Sequence, residues 1–204
     1  MTRLIIARHG NTFTEGETPR RVGARTDLPL TVAGREQGRK IGAWLKEYDL
    51  LPEATYCSEL QRTRETAQEA IRACGYPQPV YPLAIFNEVD YGPDENKTEA
   101  EVIARIGKAA IEDWDNHAIV PDGWQFDPAK TIRDWQDFAR HIIDDDQDIA
   151  FVVTSNGIAR FAPHITGDFD AFTRRYPLKI STGAICVFEH SDGQWHVRHW
   201  NVKP

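Results

Sequence analysis

The sequence has few cysteines, no long apolar run and no excess of basic charge, and each shortage excludes a class of protein. Its three cysteines are widely spaced without a C-x-x-C pair, so they predict neither a disulfide framework nor a zinc knuckle and favour a reducing, cytoplasmic setting. No apolar run approaches the length that crosses a bilayer, and the apolar stretch before Arg8 is too short for a secretion signal. We therefore expect no membrane partner.

The charge and the composition of the chain exclude further classes of protein. The chain has 31 acidic and 24 basic residues, a formal net charge of -7, whereas nucleic-acid backbones require a basic face. We expect no nucleic-acid partner, although a locally positive pocket can still bind a small anion. With 41% hydrophobic and 27% charged residues, the composition excludes a disordered or fibrous chain, and 204 residues predict one domain spanning 1–204.

Strand and helix signals alternate along the chain. This order predicts an α/β three-layer sandwich, with a mostly parallel central sheet and helices on both faces. Continuous apolar runs predict buried strands, and shorter alternating runs predict weaker ones, the last two forming a hairpin. The strand candidates are Leu4–Ala7, Ala54–Cys57, Val80–Tyr81, Ile149–Val153, Ala184–Glu189 and Trp195–Trp200.

Capping residues predict where the helices begin. Thr31 precedes a helix whose apolar face would include Val32 and Tyr48, and the glycines inside it indicate close packing against a neighbour. The other predicted helix starts are Ser58 with Gln61, Thr98 with Glu101, and Asp127 followed by Pro128.

The segment 87–148 has two helical signals and no good strand. We interpret it as a helical insertion, a cap over the C-terminal ends of the strands. It contains Trp114, Trp124 and Trp135, which we expect in the core, with an aromatic surface for a leaving group as the alternative. The acidic stretch Asp144–Asp148 predicts a solvated loop rather than a metal site.

Polar residues follow the two strongest strands, at the sheet edge where α/β proteins bind ligands. Arg8, His9 and Gly10 follow the first, with Asn11 and Thr12 behind them. Ser155-Asn156-Gly157 follows the second and opens a helix whose free N–H groups favour an anion. Together they predict an oxyanion pocket.

A longer set of motifs surrounds these residues and covers nearly the whole chain. It resembles the histidine phosphatase superfamily, also called the phosphoglycerate mutase-like family. The motifs are Arg8-His9-Gly10-x-Thr12, Leu30-Thr31-x-x-Gly34, Ser58-x-Leu60-x-Arg62-x-Arg64, Glu88-x-Asp90-Tyr91-Gly92, Thr182-Gly183-Ala184 and Trp200-Asn201.

The resemblance implies a role for each site residue. His9 would be the nucleophile that forms a phosphohistidine, and Glu88 the acid that protonates the leaving alcohol. Arg8 and Arg62 would clamp the phosphoryl oxygens with their planar guanidinium groups. Further phosphate contacts are expected from Asn156, Gly157, Asn11 and Thr12.

The sequence departs from the family at Asn156, where a second histidine is usual. An amide can still donate a neutral hydrogen bond, but charge-assisted bonds are about twice as strong. His164 lies eight residues further on, about 12 Å along a helix, too far to substitute. A weakened enzyme, a variant adapted to its own substrate and an engineered ligand trap all remain open.

The resemblance implies phosphomonoester hydrolysis of a small phosphorylated metabolite, without metal or other cofactor. A mutase would carry a basic pair where this chain has Val89 and Asp90, so phosphatase is favoured. A non-catalytic protein that binds a phosphorylated ligand is the other alternative. We also expect one of Arg20, Arg21 and Arg25 to face the substrate, and the resemblance leaves a homodimer open.

Overall fold

A six-stranded sheet with the order β3-β2-β4-β1-β5-β6 forms the centre of the computed structural model, which describes residues 1–204. Strands β1 to β4 pair in parallel, and β5 and β6 continue the sheet antiparallel beyond β1. The mostly parallel sheet is therefore confirmed. The strands are β1 Thr2–Arg8, β2 Ala54–Cys57, β3 Val80–Pro82, β4 Ile149–Thr154, β5 Ile185–Ser191 and β6 Gln194–Val202.

Helices cover both faces of this sheet. They are α1 Val32–Glu47, α2 Gln61–Cys74, α3 Glu99–Ile106, α4 Lys108–His117, α5 Pro128–Asp144, α6 Asn156–Ala159 and α7 Phe169–Arg175. Because side chains alternate along a strand, Leu4 and Ile6 of β1 pack in a cluster with α5, whereas Ile5 and Ala7 pack with α1 and α2. The three-layer sandwich is confirmed. None of these helices combines the length and the apolar composition of a membrane-spanning segment.

Helices α1 and α2 approach each other closely, as the glycines of α1 predicted. A Cβ on Gly42 would lie 2.1 Å from the carbonyl oxygen of Ala70, and one on Gly38 would lie 2.9 Å from Glu69 Cβ. Any larger residue would force the two helices apart. This packing matters for the site because both helices contact the loop that follows β1.

The apolar face predicted for α1 was wrong at its two ends. Val32 is 86% exposed, because it is the first residue of the helix and lies at the rim of the large cavity described below. Tyr48 is 57% exposed, because it lies beyond the last helical turn and stacks on Trp44.

The capping box predicted for α2 was also wrong. The helix begins at Gln61 with Leu60 as its N-cap, and no side chain caps it. The Ser58 hydroxyl is buried at the end of β2, where it pairs with the Thr63 hydroxyl at 2.6 Å and accepts from the Leu60 N–H. The buried position of Ser58 directly after β2 therefore overrides its local capping pattern.

The remaining predicted caps and the hairpin are confirmed. Thr98 and Glu101 form a reciprocal capping box at α3, and Asp127 accepts from the Lys130 N–H at the start of α5. Strands β5 and β6 are joined by a turn at 192–193, where both residues have positive φ. The local sequence was sufficient to predict these two caps and the hairpin.

The segment 87–148 contains two kinds of structure, and its boundaries as an insertion stay a prediction. Helix α5 packs on a face of the sheet, whereas the part before it carries residues that line the cavity. Trp114, Trp124 and Trp135 are buried, at 1%, 6% and 1% exposure, in agreement with the expected core role. The aspartates between 144 and 148 are exposed.

Candidate active site

A cavity of about 1600 Å³ opens at the carboxyl ends of β1 and β4. Because these strands are parallel neighbours, their C-terminal loops bring together residues almost 150 positions apart. Six of the eight predicted site residues line the cavity, and Arg62 and Gly157 do not. The six are Arg8, His9, Asn11, Thr12, Glu88 and Asn156.

His9 is held as a neutral imidazole with one nitrogen unprotonated. Its Nδ1 donates to the carbonyl oxygen of Gly10 at 2.8 Å, so Nε2 is the acceptor, and Arg62 Nε donates to it at 3.3 Å. Burial, then the positive charges of Arg62 and Arg8, hold the pKa of His9 well below its ordinary value of 6.5. The ring can therefore act as a nucleophile near neutral pH.

The loop that carries His9 is packed against both covering helices. A Cβ on Gly10 would lie 2.3 Å from the Gly34 carbonyl oxygen in α1, and the Gly10 N–H donates to the Thr66 hydroxyl in α2 at 3.0 Å. The carbonyl of Asn11 accepts from the Thr31 N–H at 2.9 Å, just before α1. These contacts fix the direction of the imidazole.

The two predicted clamp arginines differ in their surroundings. Arg8 lines the cavity; its Nη1 donates to the Ile180 carbonyl at 2.6 Å, and its buried Nε has no partner. Arg62 is fully buried, and its terminal nitrogens donate to backbone carbonyls within 22–26. Arg62 therefore contacts His9 and stabilises the loop 22–26, but it does not line the cavity.

Glu88 and Gly157 bind each other. Glu88 lines the cavity at 7% exposure, and its two oxygens accept from the N–H groups of Val89 at 2.9 Å and Gly157 at 3.2 Å. In this structure the Gly157 N–H donates to Glu88, and the phosphate contact of Gly157 stays a prediction. A Cβ on Gly157 would lie 2.2 Å from Glu88 Oε1, so only glycine allows this approach.

Asn156 has a fixed orientation in the cavity wall. Its Oδ1 accepts from the Ile180 N–H at 2.8 Å, and its Nδ2 makes no hydrogen bond to the protein. The residue thus offers a neutral donor where a histidine is usual. His164 stacks on Phe169 and does not line the cavity, which agrees with the expectation that it cannot substitute.

Asn11 and Thr12 also lie on the cavity wall. The Asn11 N–H donates to Gln37 Oε1 at 2.7 Å, and its Oδ1 accepts from the Thr182 hydroxyl. The Gln37 amide in turn donates to the Thr182 carbonyl at 3.4 Å. These bonds connect the β1 loop with the segment before β5.

The arginines of the following loop separate into two groups. Arg20 and Arg21 line the cavity, whereas Arg25 pairs with Asp90 at 3.0 Å. Arg21 donates to Glu99 at 2.8 Å. The expectation that one of the three faces the substrate stays a prediction, and the cavity favours Arg20 and Arg21.

Two features of the site had no signal in the sequence, and a third, Trp114, had one in the alternative role of an aromatic surface for a leaving group. The backbone of Ile180 ties Arg8 to Asn156, and Lys179 and Arg160 line the cavity beside it. Trp114 belongs to the buried core and lines the cavity as well.

Solved structures with the same fold include several phosphatases. An α-ribazole phosphatase from Shigella flexneri superposes with a TM-score of 0.76 at 21% identity, covering 99% of this chain and 97% of that one. A phosphoserine phosphatase from Entamoeba histolytica superposes with a TM-score of 0.77 at 17% identity, covering 100% of this chain and 98% of that one. At these identities the likeness shows the fold alone.

Curated sequence relatives are phosphoglycerate mutases. One from Gloeobacter violaceus is 30% identical over 115 residues, 56% of this chain and 51% of that protein. Phosphoglycerate mutase 1 of Saccharomyces cerevisiae is 28% identical over 59% of this chain and 49% of its own length. The matches thus span about half of these relatives. A family match over residues 4–203 covers almost the whole chain, which therefore belongs to the histidine phosphatase superfamily (branch 1).

Proposed function

We propose that this protein hydrolyses phosphate monoesters of small metabolites through a phosphohistidine on His9. The observation that carries the proposal is the state of His9. The ring is neutral, oriented by the Gly10 carbonyl, and placed at a cavity wall beside Arg8. A neutral nucleophile next to a fixed cation suits attack on an anionic phosphoryl group.

The reaction has two steps. Nε2 of His9 attacks phosphorus, the bond from phosphorus to the ester oxygen breaks, and protonated Glu88 gives its proton to the leaving alkoxide. Water then attacks the phosphohistidine, Glu88 accepts a proton from it, and the P–N bond breaks to release inorganic phosphate. Arg8 and the Asn156 Nδ2 group bind phosphoryl oxygens, joined by Arg62 Nε once Nε2 bonds phosphorus.

The surroundings of Val89 and Asp90 support hydrolysis over the mutase reaction. Val89 is 1% exposed and packs in the core, so it offers nothing to a substrate. The Asp90 carboxylate pairs with Arg25 at 3.0 Å and accepts from the Gly92 N–H at 2.8 Å. The basic pair expected for retaining a small carboxylated phosphate is thus absent from this position.

A panel of phosphate esters tests the proposal on the wild-type, His9→Ala and Asn156→His proteins. We expect phosphate release by the first and third proteins, none by the second, and an acid-labile phosphoprotein after rapid quenching of the wild type. Activity in His9→Ala would remove His9 as nucleophile. No turnover in the wild type and Asn156→His would favour a binding protein, and phosphate transfer to a second phosphorylated substrate at a rate comparable to hydrolysis would favour a mutase.

A further inference from the structure

A second pair of cations lines the cavity, separate from the residues assigned to the phosphoryl group. Arg160 and Lys179 share one carboxylate, that of Asp115, which also lines the cavity. The Asp115 oxygens lie 3.7 Å from Arg160 Nη2 and 3.7 Å from Lys179 Nζ, which is beyond hydrogen-bond distance. Asp115 is thus the one carboxylate within 4.0 Å of these two positive charges.

Arg160 is held in place by several contacts, but one of its guanidinium nitrogens has no hydrogen-bond partner. Its Nη1 donates to the Trp114 carbonyl, its Nε donates to the Asn156 carbonyl at 3.4 Å, and its guanidinium carbon lies 4.0 Å from the Trp114 ring centroid. The side chain is 0% exposed, and the buried Nη2 has no hydrogen-bond partner. A buried guanidinium N–H without an acceptor is unfavourable, so an anionic ligand oxygen would satisfy it.

This pair is directly connected to the phosphoryl site through Asn156. Arg160 contacts the Asn156 backbone, and Lys179 is the neighbour of Ile180. The Ile180 N–H binds Asn156 Oδ1, and the Ile180 carbonyl binds Arg8 Nη1. Both groups of cations therefore line one cavity and are held by the same two residues, Asn156 and Ile180.

Tyr91 adds a neutral donor to the same region. Its hydroxyl makes no hydrogen bond to the protein, and the residue lines the cavity. Burial raises the pKa of Tyr91, and Glu88 raises it further against the effect of Arg21, Arg160 and Arg8. The hydroxyl therefore keeps its proton at neutral pH and can donate to an oxygen of the ligand.

Resting on the phosphatase chemistry proposed above, we infer that Arg160 and Lys179 bind a second anionic group of the substrate. This group is a carboxylate or a second phosphoryl group on the leaving alcohol. The substrate class is then phosphate monoesters that carry a further negative charge beyond the scissile phosphate. A cationic leaving group at this position would meet two positive charges with only the Asp115 carboxylate within 4.0 Å of them.

Lys179 provides the test, because its side chain is 66% exposed and its replacement leaves the core intact. Replacing the fully buried Arg160 would also perturb folding. Binding is measured by calorimetry on His9→Ala protein, which cannot form the phosphohistidine, with and without Lys179→Ala. The ligands are glycerol 3-phosphate, 3-phosphoglycerate, glycerol 1,3-bisphosphate and phosphocholine, and Lys203→Ala, an exposed lysine outside the cavity, is the matched control.

We expect 3-phosphoglycerate or glycerol 1,3-bisphosphate to bind at least about tenfold more tightly than glycerol 3-phosphate. Whichever of the two binds better identifies the second group as a carboxylate or a phosphoryl group. Lys179→Ala should remove most of this preference and leave glycerol 3-phosphate unchanged, while Lys203→Ala should change nothing. Equal binding of glycerol 3-phosphate and of the esters with a second anionic group, equal losses on all ligands in Lys179→Ala, or a preference for phosphocholine would each overturn the inference.

Kinetics separate this inference from the proposed function. In the wild type, the same preference should appear in kcat/KM, and Lys179→Ala should raise KM for the doubly anionic ester with little change in kcat. Hydrolysis of all esters without a preference would refute the second anionic site and retain the phosphatase. Preferential binding of the doubly anionic ester without any hydrolysis would retain the site and refute the phosphatase.

Discussion

Replacing Asn156 with Asp tests the phosphoryl site most sharply. The side chains have the same shape, and Asp keeps an oxygen for the Ile180 N–H that Asn156 Oδ1 accepts at 2.8 Å. The change removes the Nδ2 donor and adds a negative charge. For a phosphoryl oxygen about 4 Å away, like-charge repulsion costs about 4 kcal/mol at an effective dielectric constant of about 20. Loss of one neutral hydrogen bond adds about 1 kcal/mol.

The sum of these two effects is about 5 kcal/mol, so kcat/KM should fall by about 10³-fold to 10⁴-fold. Phosphate release is measured at pH 8, where His9 stays neutral even if the new charge raises its pKa. Asn201→Asp is the matched control, because Asn201 Oδ1 likewise accepts a backbone N–H, that of Ser181 at 2.7 Å, outside the cavity. A loss of less than tenfold in Asn156→Asp, or an equal loss in the control, would refute a phosphoryl contact by Asn156.

Three further predictions concern the support of the site. The folded-state pKa of His9 lies below 6.5, so below that pH the unfolded chain binds more protons than the folded protein. The wild type should therefore lose up to about 1.4 kcal/mol of unfolding free energy per pH unit as the pH falls from 6.5 to 5.5, and His9→Gln should not show this loss. Urea unfolding between pH 7.5 and 5.5 measures the difference. Unchanged pH dependence would contradict this. Gly42→Ala should destabilise the fold by about 1–3 kcal/mol in thermal unfolding, because its Cβ would lie 2.1 Å from a facing carbonyl of α2, whereas exposed Lys40→Ala should stay within about 0.5 kcal/mol. Equal losses of stability in Gly42→Ala and Lys40→Ala would argue against close packing of α1 on α2. Arg62→Lys should lower kcat/KM at least about tenfold, since an ammonium group cannot contact His9 and the carbonyls of 22–26 together, and a change within twofold would contradict that role.

Errors in the sequence predictions occurred where tertiary contacts compete with local patterns. Ser58 and Gln61 have capping-box spacing, but the Ser58 hydroxyl is buried directly after β2 and pairs with the Thr63 hydroxyl. Tertiary packing also adds contacts that no local pattern indicates, such as the hydrogen bond from the Gly157 N–H to Glu88, a residue 69 positions away. Thr98 and Asp127 were predicted correctly because their partners lie three residues further along the chain.

The sequence by itself determined the order of strands and helices and the two strand ends that carry His9 and Asn156. Hydrophobic periodicity and capping act over a few residues, and the carboxyl ends of adjacent parallel strands lie at the same sheet edge. Only the tertiary structure decided what each site residue touches. Arg8 meets the Ile180 carbonyl across 172 positions, and Arg160 joins Trp114 across 46. Such contacts depend on how the layers pack, and no short-range pattern encodes them.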